Sequence, residues 1–246
     1  MDGNGRWARG RGQLRWEGHS AGAKSVRATV EAAVELGIEY LTLYAFSVNN
    51  WQRPRLEVEA LMRLLTHFAK KEQAELIRQG VRVRVVGHLN DLPKGPRQAV
   101  EQLLQATAHC TKMTLSLALS YGGRGDVLEA AQRLAARAQA GQLNALDITL
   151  DTLRAEMTTG FLPDVDLLIR TGGQSRISDF LLLECAYAEL RFVDVMWPEF
   201  CGEHLRDAID QFGGVERRFG LTSQQLENAG AGSLASRLGS PSRVAR

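Results

Sequence analysis

Cysteine is scarce in this sequence. Only Cys110, Cys185 and Cys201 occur among 246 residues. No two of them form Cys-x-x-Cys, which removes the spacing of a zinc ribbon or a dithiol redox motif. Cys110 and Cys185 sit in apolar surroundings and read as buried thiols of a reducing compartment. The five histidines lack metal-ligand spacing as well. No run approaches the ~18–20 apolar residues of a membrane span. The polar, glycine-rich start does not read as a signal peptide, so a cytoplasmic location is expected. Charge of one sign is also missing: the net charge is +2, too balanced to argue for nucleic acid as a partner.

What is present is a regular alternation of helix and strand patterns. Apolar residues at helical spacing predict helices over 21–36, 56–79, 95–109, 126–139, 148–159 and 204–216. Runs rich in β-branched residues predict strands over 38–46, 81–87, 113–121 and 164–170. Residues 179–189 read as helical. Gly37 and Gly80 stand where helix C-caps are expected. Such alternation implies one α/β domain with a central, mostly parallel sheet surrounded by helices. In these sheets ligands bind beyond the carboxyl ends of the strands. The catalytic domain is expected over residues 1–220, and 221–246, rich in Ser, Gly and Ala, as a disordered tail.

Four loops carry glycine or arginine: 2–7 (DGNGRW), 47–54 (SVNNWQRP), 121–124 (YGGR) and 170–178 (RTGGQSRIS). The last three each follow a predicted strand, so they share one edge of the sheet. Glycine lets backbone N–H groups approach an anion, and arginine adds a planar donor fork matched to phosphate oxygens. A single Gly-Gly-Arg turn is usually only a turn. Several at one edge point to a polyanion. Asp2 lies beside this basic set, and carboxylates among phosphate-binding arginines suggest Mg²⁺. Glu189 reads equally well as a metal ligand or as the partner of an arginine. The stripe Leu61, Leu64, Leu65 and Phe68, with Leu117 and Leu119, reads first as core and second as the wall of an apolar channel.

Two motifs are decoys. Residues 3–8 match G-x-G-x-x-A, but the next strand ends without the acid that binds a dinucleotide ribose. Residues 18–25 approach a P-loop, but Ala23 stands at its second glycine and no strand precedes it. Ser20 reads there as a helix cap, with His19 near the same helix start.

Taken together, the loops resemble the signature regions of cis-prenyltransferases, the undecaprenyl diphosphate synthase family. Residues 1–8 match M-D-G-N-G-R-W-A throughout. Residues 15–22 resemble R-x-x-G-H-x-x-G, 46–54 resemble F-S-S-E-N-W-x-R-P, and 120–126 resemble N-Y-G-G-R-x-[DE]. Residues 168–180 and 186–200 resemble the last two regions. The resemblance implies a homodimer that elongates an allylic diphosphate such as farnesyl diphosphate with isopentenyl diphosphate, giving a Z-polyprenyl diphosphate with Mg²⁺ as cofactor. It implies that Gly3, Asn4, Gly5, Arg6, Trp7, Arg15 and His19 bind the allylic diphosphate. Arg170, Arg176 and Ser178 would bind isopentenyl diphosphate, and Ser47, Asn50, Trp51 and Arg53 would position the reacting ends. Asp2 and Asn50 would be catalytic, and Asp2 and Glu189 would hold the metal. A long polyprenyl product favours peripheral membrane association, although no amphipathic anchor stands out.

Several positions depart from the family pattern. Asn49 replaces a glutamate, Ser120 an asparagine and Leu183 a tryptophan, while Gln174 and Ser175 stand where Glu and His are usual. The family's leading strand would precede residue 1. These departures motivate a competing reading, a non-catalytic prenyltransferase-like subunit. A nucleotide-dependent oxidoreductase is the third reading and rests on the G-x-G-x-x-A match alone.

Overall fold

The computed structural model describes residues 1–213. The proposed tail, 221–246, and the end of the last predicted helix lie outside them. In chain order the elements are α1 (Asn4–Arg9), α2 (Arg15–Glu35), β1 (Tyr40–Ser47), α3 (Arg55–Arg78), β2 (Val81–Gly87), α4 (Lys94–Thr107), β3 (Met113–Tyr121), α5 (Gly123–Gln139), α6 (Leu150–Glu156), β4 (Leu167–Arg170), β5 (Glu189–Phe192) and α7 (Gly202–Gly213).

Every strand pair among the described residues is parallel, and each is joined by the long crossover that parallel pairing demands. The order is β1-β3-β2 in one sheet and β4-β5 in another. The buried centre is β3, hydrogen-bonded on both sides. Alternation along the strands supplies two cores. Leu43, Leu115, Leu117 and Val83 face a cluster with Met62, Ala69, Val100 and Leu103. Ala118 and Val86 face a second cluster with Tyr121, Leu168 and Leu181. Leu61, Leu65 and Phe68 pack against the first cluster, in which Leu117 and Leu119 are buried. These five residues of the stripe are therefore core; Leu64 belongs to neither cluster.

Among the described residues the two sheets do not join. Consecutive residues of β1 and β4 wall a cavity of about 780 Å³ between them. Ser47 and Arg170, at the carboxyl ends of the two strands, line one end of that cavity, called its mouth below.

The structure corrects several sequence expectations. Residues 4–7, read as part of the loop 2–7, belong to α1, Asn4–Arg9. Helix α2 begins at Arg15, where the Glu17 carboxylate accepts the Leu14 N–H at 2.6 Å, half of a capping box. Ser20 therefore caps nothing, and His19 lies inside the helix. Close packing of α1 on α2 requires Gly18: a Cβ there would stand 2.0 Å from the Asn4 carbonyl oxygen. Residues 179–188 form turns rather than a helix, with Ser178, Asp179 and Leu181 at positive φ, which a right-handed helix excludes. Cys110 and Cys185 are buried free thiols.

Candidate active site

Asp2 is fixed by the chain that follows β4. Its N–H donates to Thr171 Oγ1 at 2.9 Å, and that hydroxyl donates back to the Asp2 carbonyl at 2.8 Å. The Asp2 carboxylate accepts from its neighbour, the Gly3 N–H, at 2.7 Å and from Arg170 Nη2 at 2.8 Å, and Arg6 Nη2 stands 3.7 Å away. Burial on its own would raise the Asp2 pKa. Hydrogen bonds from Arg170 and Gly3, with the charges of Arg170 and Arg6, hold it below the usual carboxylate value. Close approach of the two segments depends on Gly172, whose φ is +83° and where a Cβ would meet Arg6 Nη2 at 2.7 Å.

The loop after β4 supplies the rest of this cluster. Arg170 Nη1 donates to Ser178 Oγ at 2.7 Å and to the Arg176 carbonyl. Arg176 is exposed and donates to Gln174 Oε1 at 2.6 Å. The loop is latched to the Gly122–Arg124 turn, because Asp179 Oδ1 accepts from the Arg124 backbone at 3.0 Å and from Arg124 Nε at 3.2 Å. Arg124 is thus committed to Asp179 rather than aimed at Asp2.

A second cluster forms around Glu57 at the start of α3. Its carboxylate accepts from Arg15 Nε at 3.2 Å and Arg53 Nη1 at 3.1 Å, and His19 Nε2 lies 3.8 Å away. Burial pushes the His19 imidazole down to about 4, reinforced by Arg53 and Arg15 against the pull of Glu57, so the ring is neutral at pH 7. Gly5 joins the two clusters, since its Cα faces the Arg15 guanidinium so closely that a Cβ would stand 2.9 Å from Arg15 Cζ.

Asn50 Oδ1 accepts the Ser47 N–H at 3.1 Å and closes a 3₁₀ turn, Val48–Gln52. The turn brings Ser47, Asn50 and Arg53 to the cavity mouth with Asp2, Arg170, Arg176 and Ser178. Trp51 points elsewhere: its Nε1 donates to Ser120 Oγ at 2.9 Å and its ring packs edge-on against Phe46. Trp7 Nε1 donates to Glu199 at 3.0 Å, under the Arg11 guanidinium. Asn4 is buried, with Nδ2 donating to the Met1 carbonyl at 3.2 Å and Oδ1 unpartnered.

Glu189 is not brought to Asp2. It opens β5 opposite Leu167, at the amino end of β4, whereas Arg170 pairs with Phe192. Three residues of strand, about 10 Å, separate that end from the site. The proposed pairing of Asp2 with Glu189 as metal ligands finds no support in this placement. Among the described residues no three His, Cys, Asp or Glu side chains cluster to hold a metal. Asp2 by itself fits Mg²⁺ of the kind that takes one carboxylate and completes its shell with substrate phosphates and water.

Sequence reasoning named Thr171 only as part of the loop 170–178, and it missed Glu57 and Asp91, which receives the Ser120 hydroxyl at 2.7 Å. Of these two, Glu57 left a trace, the i, i+4 spacing from Arg53 at a helix start.

The family model described as "Putative undecaprenyl diphosphate synthase" matches residues 1–220. The chain is 43% identical over 226 residues to an isoprenyl transferase of Porphyromonas gingivalis, covering 92% of this chain and 89% of that protein. It is 46% identical over 226 residues to the ditrans,polycis-undecaprenyl-diphosphate synthase, farnesyl-diphosphate specific, of Xanthomonas axonopodis pv. citri, covering 92% and 88%. Among solved structures, lavandulyl diphosphate synthase from Lavandula x intermedia in complex with dimethylallyl diphosphate superposes with a TM-score of 0.87 at 32% identity, covering 89% of this chain and 95% of that one.

Proposed function

The chain belongs to the undecaprenyl diphosphate synthase family and is a prenyltransferase; on that premise we propose that it condenses isopentenyl diphosphate with an allylic diphosphate such as farnesyl diphosphate, giving a Z-polyprenyl diphosphate. The observation that carries this reading is the cavity mouth, where Asp2 meets Arg170 at 2.8 Å among Arg6, Arg53, Arg176 and Ser178. Two polyanions must lie side by side there, and only dense positive charge offsets their repulsion.

Arg6, Arg15, His19 and the backbone of residues 3–5 take the allylic diphosphate. Arg170, Arg176 and Ser178 take isopentenyl diphosphate. As the allylic C–O bond breaks, its electron pair passes to the leaving diphosphate. Guanidinium groups already in place stabilise that charge where it forms. The double bond of isopentenyl diphosphate then attacks the allylic carbon, and a proton leaves to form the new alkene. Neutral His19 acts as a hydrogen-bonding group, not as a cation. Asp2 would hold Mg²⁺, which supplies Lewis-acid neutralisation of the departing diphosphate. Ser47, Asn50 and Arg53 orient the reacting ends from the turn they share.

The mouth of the cavity, rather than its depth, supports the proposal. Two of its walls are the outer edges of β1 and β4, which pair with no further strand among the described residues, and an alkyl chain cannot satisfy backbone N–H and C=O groups. We further propose a homodimer, supported by exposed Tyr187, Leu190 and Phe192 at β5. Peripheral membrane contact would follow from the apolar product, and no described helix is long and apolar enough to cross a membrane.

Retention of Asp2, Arg170 and Arg176 favours the enzyme over a non-catalytic subunit. The test is incorporation of labelled isopentenyl diphosphate, with farnesyl diphosphate and Mg²⁺, into an apolar product by the purified chain. No incorporation without a second protein would favour the subunit reading.

A further inference from the structure

Ser120 occupies an unusual position for a strand residue. In the β1–β3 ladder Phe46 pairs with Leu119 and Ser47 with Tyr121, so Ser120 is the extra residue of a bulge. Its φ is +48°, and it is fully buried. A non-glycine residue is rarely left-handed, and bulges beside active sites re-aim a side chain. Here the re-aimed group is the hydroxyl, which accepts from Trp51 Nε1 at 2.9 Å and donates to Asp91 Oδ2 at 2.7 Å.

The chemistry of the three groups makes this order necessary. An indole N–H only donates and a carboxylate only accepts, so the link between them must do both. A serine hydroxyl does, and alanine does not. Asparagine also does, through its carbonyl and amide ends, and it tolerates positive φ better than most residues. The Trp51 ring is held on its other side by Phe46, with centroids 4.7 Å apart at 68°. Trp51 belongs to the same 3₁₀ turn as Asn50, which opens at Ser47 and is followed directly by Arg53.

We infer that Ser120, backed by Asp91, is a positioning residue that locks the Trp51 indole and thereby sets the turn presenting Asn50 and Arg53 at the cavity mouth. The inference rests on the condensation reaction proposed above. Neither Ser120 nor Asp91 lines the mouth, so their effect falls on the geometry of the reacting ends rather than on diphosphate binding.

The test uses the full chain with Ser120→Ala, Ser120→Asn and Asp91→Ala. The first readout is independent of activity: the indole ¹H–¹⁵N resonance of Trp51, assigned by its loss in Trp51→Phe, moves in Ser120→Ala and Asp91→Ala. The second is steady-state kinetics. Ser120→Ala lowers kcat about tenfold or more while KM for isopentenyl diphosphate stays within about threefold, as expected for misplaced reacting groups. Ser120→Asn restores at least about half of kcat, and Asp91→Ala lowers it about threefold. If Ser120→Ala fails to fold, the exposed Asp91 decides through its own variant. An unmoved Trp51 resonance overturns the tether. So does a kcat within about twofold of the parent in both Ser120→Ala and Asp91→Ala, or an Asn variant no better than Ala. A parent chain without turnover instead contradicts the proposed reaction, and the indole resonance still decides the tether.

Discussion

The Asp2 carboxylate accepts a hydrogen bond from Arg170 Nη2 at 2.8 Å although 168 residues separate them in sequence. Thr171 fixes the pair by bonding both the N–H and the carbonyl of Asp2. The start of the chain is thereby stitched to the carboxyl end of β4, where a parallel sheet of this kind binds its ligands. A carboxylate held among guanidinium groups can meet a cation that arrives with a diphosphate without collapsing the positive site around it.

Arg170 is placed to act as a fork, with Nη2 on Asp2 and Nη1 on Ser178. Arg170→Lys keeps the charge and loses the fork. It is expected to lower kcat/KM for isopentenyl diphosphate by about tenfold or more, measured at saturating allylic substrate. An unchanged value would remove the fork from the account.

Glu57 gathers Arg15, Arg53 and His19. If it preorganises these groups for the allylic diphosphate, Glu57→Gln weakens that substrate, raising its KM about tenfold, close to the cost of one lost charged hydrogen bond. A lower KM would show instead that Glu57 competes with the substrate for the arginines.

Chelation separates a resident metal from one that travels with substrate. Removing Mg²⁺ is expected to abolish turnover, which added Mg²⁺ restores. The substrate-free melting temperature should not move, because the described residues contain no cluster of three metal-ligating side chains. A large fall in melting temperature on chelation would point to a structural metal.

His19 ties stability to pH. Its ordinary value is 6.5 and burial, with Arg53 and Arg15, lowers it to about 4, so the unfolded chain binds its proton more readily than the native one. The stability is whole above pH 6.5 and is lost as pH falls from 6.5 toward 4, by on the order of 3 kcal/mol. Denaturant unfolding at pH 7 and pH 5 should show the fall, and His19→Gln should flatten it. An equal fall in both proteins would assign it to other groups.

The leucines behind the site test the other half of the fold. Leu115 is fully buried in β3. Leu115→Ala should cost about 2–5 kcal/mol in urea unfolding and leave kcat per folded molecule unchanged.

Where the sequence was legible, local chemistry matched the final structure. The runs over 81–87 and 113–121 are strands at the expected bounds: the first alternates as an edge strand does, and the second has the continuous apolar run of a buried parallel strand. The fold class and the meeting of Asp2 with the loop after β4 also followed from pattern and resemblance. Illegible features owe their form to distant contacts. Helix α1 has only six residues, too few for periodicity to show, and stands by packing on Gly18 of α2. Strand β5 has four residues, too few for periodicity to speak. The apolar stretch from 179 has helical composition, but left-handed Asp179 and Leu181, with Ser178 before them, and its latch to Arg124 turn it into a series of bends. Glu189 lies in a matching motif, yet the direction of β5 carries it to the other end of the strand.

The most direct measurement follows Asp2→Ala through binding and chemistry separately. Affinities for both diphosphates are measured on the full chain, and condensation is followed in a single turnover with labelled isopentenyl diphosphate and Mg²⁺. The expected result is affinities within a few-fold of the parent and a condensation rate lowered by at least about a hundredfold. A variant that condenses at the parental rate would contradict the placement of Asp2 at the departing diphosphate.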